Sequence, residues 1–152
     1  MTTTADDSGE GRTHPSSAGA RRQALLAGEK ILVVDDDDDA RYLAAFVLEK
    51  AGARVSQADS VSAALAVLEA GDFTVLVSDL AMPLADGYEL IRRVRGAAPA
   101  SLRQLPAVAL SAFCTAADRQ KTQSAGFQAH IGKPFDATRL IETVRSVASP
   151  AQ

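Results

Sequence analysis

Cysteine occurs once in this chain, at Cys114, and tryptophan not at all. A lone cysteine excludes an intramolecular disulfide and fits a reducing compartment. No uninterrupted apolar run approaches the ~18–20 residues that span a bilayer. The pair Arg21 and Arg22 is followed only by "QALLAG", too short for the apolar region of an export signal. A strong charge of one sign is also missing. The net charge of −3 gives no general attraction to nucleic acid or an anionic membrane surface. Neither a helix-turn-helix pattern nor a basic recognition helix is present. These absences predict a cytoplasmic protein that binds neither nucleic acid nor membrane. What remains is an ordinary globular composition, 47% apolar and 23% charged, in 152 residues, a length suited to one domain.

Against that background one stretch stands out. In "ILVVDDDDDAR", an apolar run leads directly into five consecutive aspartates, Asp35 to Asp39. Like charges at that density repel. Either the run is a solvated strand end, or a bound cation offsets the repulsion.

Residues 1 to about 28 are rich in Thr, Ser, Gly and charge and read as a flexible tail, with the domain spanning 29–148 and a short tail at 149–152. Within the domain, short apolar runs alternate with helix-period segments. The runs "KILVVD" (30–35) and "FTVLVSD" (73–79) read as strands buried on both faces. "ARVSQA" (53–58), "PAVALSA" (106–112) and "AHIG" (129–132) are shorter strands of the same kind. Ala40, Leu43, Ala44, Val47 and Leu48 predict one helical stripe closed by Gly52. Val61, Ala64, Leu65 and Leu68 predict a second helix, with Ser60 as N-cap and Gly71 as its stop. Three more helices are expected over 86–96, 115–126 and 136–148. Five strand–helix units predict an α/β protein with a doubly wound, five-stranded parallel sheet.

Functional groups in such sheets gather beyond the carboxyl ends of the strands. Here those ends carry Asp35 and Asp36, then Asp79, then Ser111, then Lys133 and Pro134. Carboxylates crowded in an apolar setting cannot all stay ionised without a cation. An all-oxygen donor set selects a hard ion such as Mg2+.

The pieces "VVDD" (33–36), "SDLAMPLADGYEL" (78–90), "LSA" (110–112), "AGF" (125–127) and "KPF" (133–135) together resemble bacterial response-regulator receiver domains, over residues 30 to about 148. The details of "DGYELIRRVR" and "AGFQAHIGKPFD" look most like receivers of hybrid sensor kinases. The resemblance implies the (βα)5 flavodoxin-like receiver fold. It implies Asp79 as phosphoacceptor, taking its phosphoryl group from a histidine kinase or histidine phosphotransfer protein. It further implies Mg2+ held by Asp36 and Asp79, by Asp35 through water, and by the backbone carbonyl of Ala81. Ser111 and Lys133 would contact phosphoryl oxygens, and the Lys133–Pro134 bond would be a cis peptide. Met82 and Pro83 would stiffen the loop after Asp79, and Asp86 would cap the next helix. Asp37 to Asp39 are then expected at a helix N-terminus, complementing its dipole.

The residues bear on other readings as well. Asp35, Asp37 and Asp39 have calcium-loop spacing, but Ala40 and Phe46 stand where that loop needs Gly and Glu. "GFQAHIGKP" fails as a P-loop, because its glycine gap is too long and Pro134 replaces Ser or Thr. A Mg2+-dependent aspartyl-phosphate phosphatase and a pseudo-receiver that binds partners without chemistry remain as alternatives. His14 lies in the polar tail and is expected to be inert. His130 stands where the family places the Tyr or Phe that marks the active state, a departure at the switch position along with Ser111. Cys114 has no base or electropositive partner legible in the sequence.

Ala81 and Phe113, two residues beyond Asp79 and Ser111, cannot hydrogen-bond a hydrolytic water, which predicts slow self-dephosphorylation. Only "ASPAQ" follows Val147, so no output domain is expected and the signal should leave by contact with a downstream protein. The resemblance suggests the last two helices and last strand as that surface, through Gln120, Lys121, Gln128, His130, Arg139 and Glu142, with a homodimer through the same face as one use of it. The chain would then be a phosphoacceptor signalling domain and no turnover enzyme.

Overall fold

A computed structural model describes residues 25–82 and 86–148. The expectations for His14, Pro83, most of the N-terminal tail and residues 149–152 lie outside the described residues. In chain order the elements are β1 (Lys30–Val34), α1 (Asp38–Lys50), β2 (Arg54–Ala58), α2 (Val61–Ala70), β3 (Val75–Asp79), α3 (Gly87–Arg95), α4 (Ala100–Arg103), β4 (Ala107–Ser111), α5 (Ala116–Ala125), β5 (Ala129–Gly132) and α6 (Ala137–Ala148). The strands form one parallel sheet in the order β2-β1-β3-β4-β5.

Alternation along the central strands divides the core in two. Ile31, Val33, Val75, Val77, Val108 and Leu110 face α1 and α6 on one side of the sheet. Leu32, Val34, Leu76, Ala107 and Ala109 face α2 and α3 on the other. Both faces are covered, which is why β1, β3 and β4 read as continuous apolar runs. α5 is largely polar and packs against β5 and α3.

The helix ends follow their sequence signals. Asp37, Ser60 and Asp86 each accept a backbone N–H bond as N-cap, and Thr115 closes a capping box with Asp118. Beyond α1, Gly52 takes the left-handed conformation, with φ of 104°.

Three expectations need correction, and one element is additional to them. The tail does not run to residue 28, because residues 25–28 form a turn and Leu26 is fully buried against the α1/α6 side. Its backbone N–H donates to Ala51 O at 2.8 Å, and burial of such a leucine stabilises by about 2 kcal/mol. β2 is not buried on both faces, since it is an edge strand with Ser56 and Gln57 exposed. The stripe of α1 is rotated, with Arg41 and Ala45 buried and Leu43 53% exposed. Finally, the short α4 has no counterpart in the sequence reading, being four residues long and without apolar periodicity.

Candidate phosphoacceptor site

The sheet order reverses between β1 and β3, so the residues that end these two strands border one crevice. Asp35 follows β1 and is buried, its backbone N–H bonded to Ala58 O at 3.1 Å. Asp79 closes β3 and is buried as well. Asp36 stays exposed beside them. Carboxylate oxygens of Asp35, Asp36 and Asp79 all lie within 4.8 Å of one another.

Lys133 enters from the loop after β5. Its Nζ lies 2.9 Å from Asp35 Oδ2 and 3.0 Å from Asp79 Oδ1, bridging the two buried carboxylates. The preceding chain is anchored by the Lys133 N–H to Ser111 O bond of 2.8 Å, and the Lys133–Pro134 peptide is cis. β3–β4 register pairs Asp79 with Leu110, which sets Ser111 next along the same rim. The Ser111 hydroxyl oxygen accepts from the Phe113 N–H at 3.0 Å. Ala81 is exposed, two residues beyond Asp79.

Behind Asp79 the packing is close. A Cβ added at Gly87 would sit 2.4 Å from Asp79 O, so only glycine lets α3 start against the end of β3. The Gly87 N–H donates to Leu80 O at 3.0 Å, tying that helix start to the strand end.

The electrostatics follow from this geometry. Burial pushes the Asp79 carboxyl above its ordinary value; the Lys133 hydrogen bond works against that push, and the charges of Asp35 and Asp36 add to it. For Lys133, burial disfavours the ammonium, but hydrogen bonds to Asp35 and Asp79 outweigh it and its pKa is raised. The donor set fits a hard divalent cation, being all oxygen, clustered and short of positive charge, with one ammonium against three carboxylates.

Two features here escaped the sequence reading. Arg41 is one. It is buried on α1, and its Nη1 donates to the backbone carbonyl of Asp35 at 2.8 Å. A single cation two residues past five aspartates is the signal the sequence carries. The other concerns His130 and Cys114. His130, expected at the contact surface, is instead buried, with Nδ1 3.2 Å from Thr122 Oγ1. Cys114 does have a base nearby, its Sγ lying 3.8 Å from His130 Nε2. The strand β5 and the loop after β4 converge only in the fold. Burial, aided by the charge of Arg119, holds the His130 imidazole below its ordinary pKa.

Both the sequence and the fold are similar to those of known proteins. Residues 31–145 match the response regulator receiver domain family. A 14.6 kDa protein of uncharacterised function from Leptolyngbya boryana is 46% identical over 120 residues, covering 79% of this chain and 90% of that protein. Hybrid signal transduction histidine kinase D of Dictyostelium discoideum is 32% identical over 126 residues, 79% of this chain but 8% of the kinase. Among solved structures, a response regulator from Chloroflexus aurantiacus superposes with a TM-score of 0.73 at 31% identity, over 79% of this chain and 97% of that one. The chemotaxis response regulator CheY4 of Vibrio cholerae gives 0.72 at 28% identity, over 78% and 98%. The chain belongs to the response-regulator receiver domains, the modules that carry signals in two-component and phosphorelay systems.

Among the described residues, no helix is long and apolar enough to cross a membrane.

Proposed function

We propose that this receiver domain accepts a phosphoryl group on Asp79 from the phosphohistidine of a histidine kinase or phosphotransfer protein. One observation carries the reading: the Lys133 ammonium bridges Asp35 and Asp79 within a three-carboxylate cluster. An Asp79 carboxylate oxygen attacks phosphorus, forming a P–O bond as the P–N bond breaks. The donor imidazole nitrogen leaves with the electron pair. Lys133 already touches the attacking carboxylate, and its ammonium offsets the charge arriving on the phosphoryl oxygens. The Ser111 hydroxyl, at the same rim, hydrogen-bonds another of those oxygens.

Asp36, Asp79 and the Ala81 carbonyl would hold Mg2+ directly. Asp35 suits a water-mediated role, because its Oδ1 already accepts the Asp37 N–H at 3.0 Å and its Oδ2 the Lys133 ammonium. When bound, Mg2+ supplies the positive charge that lets two anionic groups approach. Ala81 and Phe113, both exposed and unable to bond a water through their side chains, favour a long-lived acyl phosphate.

The donor has a landing surface beside the acidic rim. Tyr42, Leu43 and Phe46 of α1 are 55%, 53% and 57% exposed, an apolar face on the helix that begins two residues past Asp36. A donor's helical face fits there by the same apolar chemistry. The signal then leaves by protein contact across α5, β5 and α6, where Gln120, Lys121, Gln128, Arg139 and Glu142 are exposed. A homodimer through that face and a cytoplasmic location complete the reading.

Incubation with a phosphorylated histidine phosphotransfer protein tests it. Phosphoryl transfer to wild type, lost in Asp79→Asn and slowed in Tyr42→Ser/Phe46→Ser, supports the proposal. Transfer that persists in Asp79→Asn would overturn it.

A further inference from the structure

Of the five adjacent aspartates, Lys133 pairs with only the first, Asp35. At the other end lies Arg41. Its guanidinium is buried, yet every direction of its fork finds an acceptor. Nη1 donates to Asp35 O at 2.8 Å, Nε to Gln57 Oε1 at 3.1 Å, and Nη2 to Asp38 Oδ1 at 2.7 Å. One side chain thereby joins the end of β1, the edge strand β2 and the first turn of α1. The guanidinium also lies 5.0 Å from the Tyr42 ring centroid, at the root of the exposed α1 face.

We infer that Arg41 is a positioning residue for the cation site: by holding the Asp35 carbonyl it sets the orientation of the Asp35–Asp36 peptide, and so the aim of both carboxylates. This rests on the reading of Asp35, Asp36 and Asp79 as the ion's ligands. Asp35 is held on three sides. Its carbonyl goes to Arg41, its Oδ1 to the Asp37 N–H and its Oδ2 to Lys133. Asp36, the exposed carboxylate, has no side-chain hydrogen bond or ion pair among the described residues, and inherits its direction from the peptide that Arg41 fixes. Arginine suits the task and lysine does not, because only a planar fork reaches three divergent acceptors at once.

Positioning and pure charge act on ion affinity with opposite signs. As a mere positive charge near the site, Arg41 would repel a divalent ion, and its removal would tighten binding. As a positioning residue, its removal loosens binding despite the lost repulsion. The test is Mn2+ titration of the full chain, followed by the electron paramagnetic resonance signal of free ion, with Mg2+ as competitor. Arg41→Gln should weaken affinity about tenfold or more, as loss of a second-layer partner does. Arg41→Lys should weaken it nearly as much, although the charge remains. Gln57→Leu, which removes one acceptor of the fork, should give a smaller loss. Val144→Ala, a buried site on α6, should lower thermal stability and leave affinity unchanged.

Should Arg41→Gln fail to fold, the Arg41→Lys and Gln57→Leu arms still decide. Wild type that binds Mn2+, with Arg41 variants binding equally or more tightly, overturns the inference alone. Wild type that binds none overturns the inference together with the reading of the site.

Discussion

The two rims of the sheet differ in the charge they bury. At the amino-terminal rim of β3 and β4 lies a cleft of about 720 Å³, lined by Leu65, Phe73, Pro99, Leu102 and Leu105. The carboxyl rim carries Asp79. Yet this cleft holds no convergent buried charge, whereas the carboxyl rim gathers three carboxylates and an ammonium from three strand ends. Buried charge costs free energy unless it is paired, so its persistence at one rim marks where the chemistry is. The cleft is what remains where the short α4 spans the connection from α3 to β4.

Breaking the ammonium sharpens this contrast most. Lys133→Met should cut acetyl-phosphate labelling of Asp79 about a hundredfold, the scale of losing one charged donor to a transition state. Divalent-ion affinity should hold or rise, since the bridge to Asp35 and Asp79 is gone. Leu102→Ala in the opposite cleft should leave labelling unchanged. Equal losses in the two variants, measured by intact mass, would erase the distinction between the rims.

A smaller effect separates Asp79 from His130, two buried groups whose pKa values burial moves in opposite directions. Burial holds the His130 pKa below its unfolded value of about 6.5. The neutral ring is therefore the form the fold prefers. Its contribution to stability is fully present above the unfolded pKa and is lost as pH falls through the folded one. Thermal melting should drop as pH is lowered from about 6.5 toward 5, and His130→Phe should flatten that dependence. A melting curve equally steep in the variant would show that other groups govern it.

The smallest expected change concerns the lifetime of the acyl phosphate. Ala81→Asn and Phe113→Lys should each lose phosphate faster than wild type, since both introduce a side chain that can hold water beside Asp79. Faster loss in wild type than in either variant contradicts this.

How much of this was legible in the sequence depends on the range of the interaction. Caps at Asp37, Ser60 and Asp86 and the runs of β1, β3 and β4 are local, and the order of residues states them. The convergence of Asp35, Asp36, Asp79, Ser111 and Lys133 on one rim followed from topology, because parallel strands put their ends together. The rotation of α1 was not legible. Helical period alone favours a stripe through Leu43, but each residue turns the helix by 100°, and Arg41 takes the inward slot because Asp35 O and Gln57 satisfy its fork. Leu43 is thereby left on the open face. His130 was misplaced for a similar reason. Its partner Thr122 lies on α5, whose packing against β5 no local pattern encodes.

The central claim is that a cation and Lys133 together let Asp79 take on a second anionic group. Acetyl phosphate with Mg2+, followed by intact mass, tests it most directly. The account predicts a gain of one phosphoryl group in wild type, abolished by chelating the metal and by Asp79→Asn. A chain that stays unmodified with Mg2+ present, or that gains the group equally well as Asp79→Asn, would contradict it.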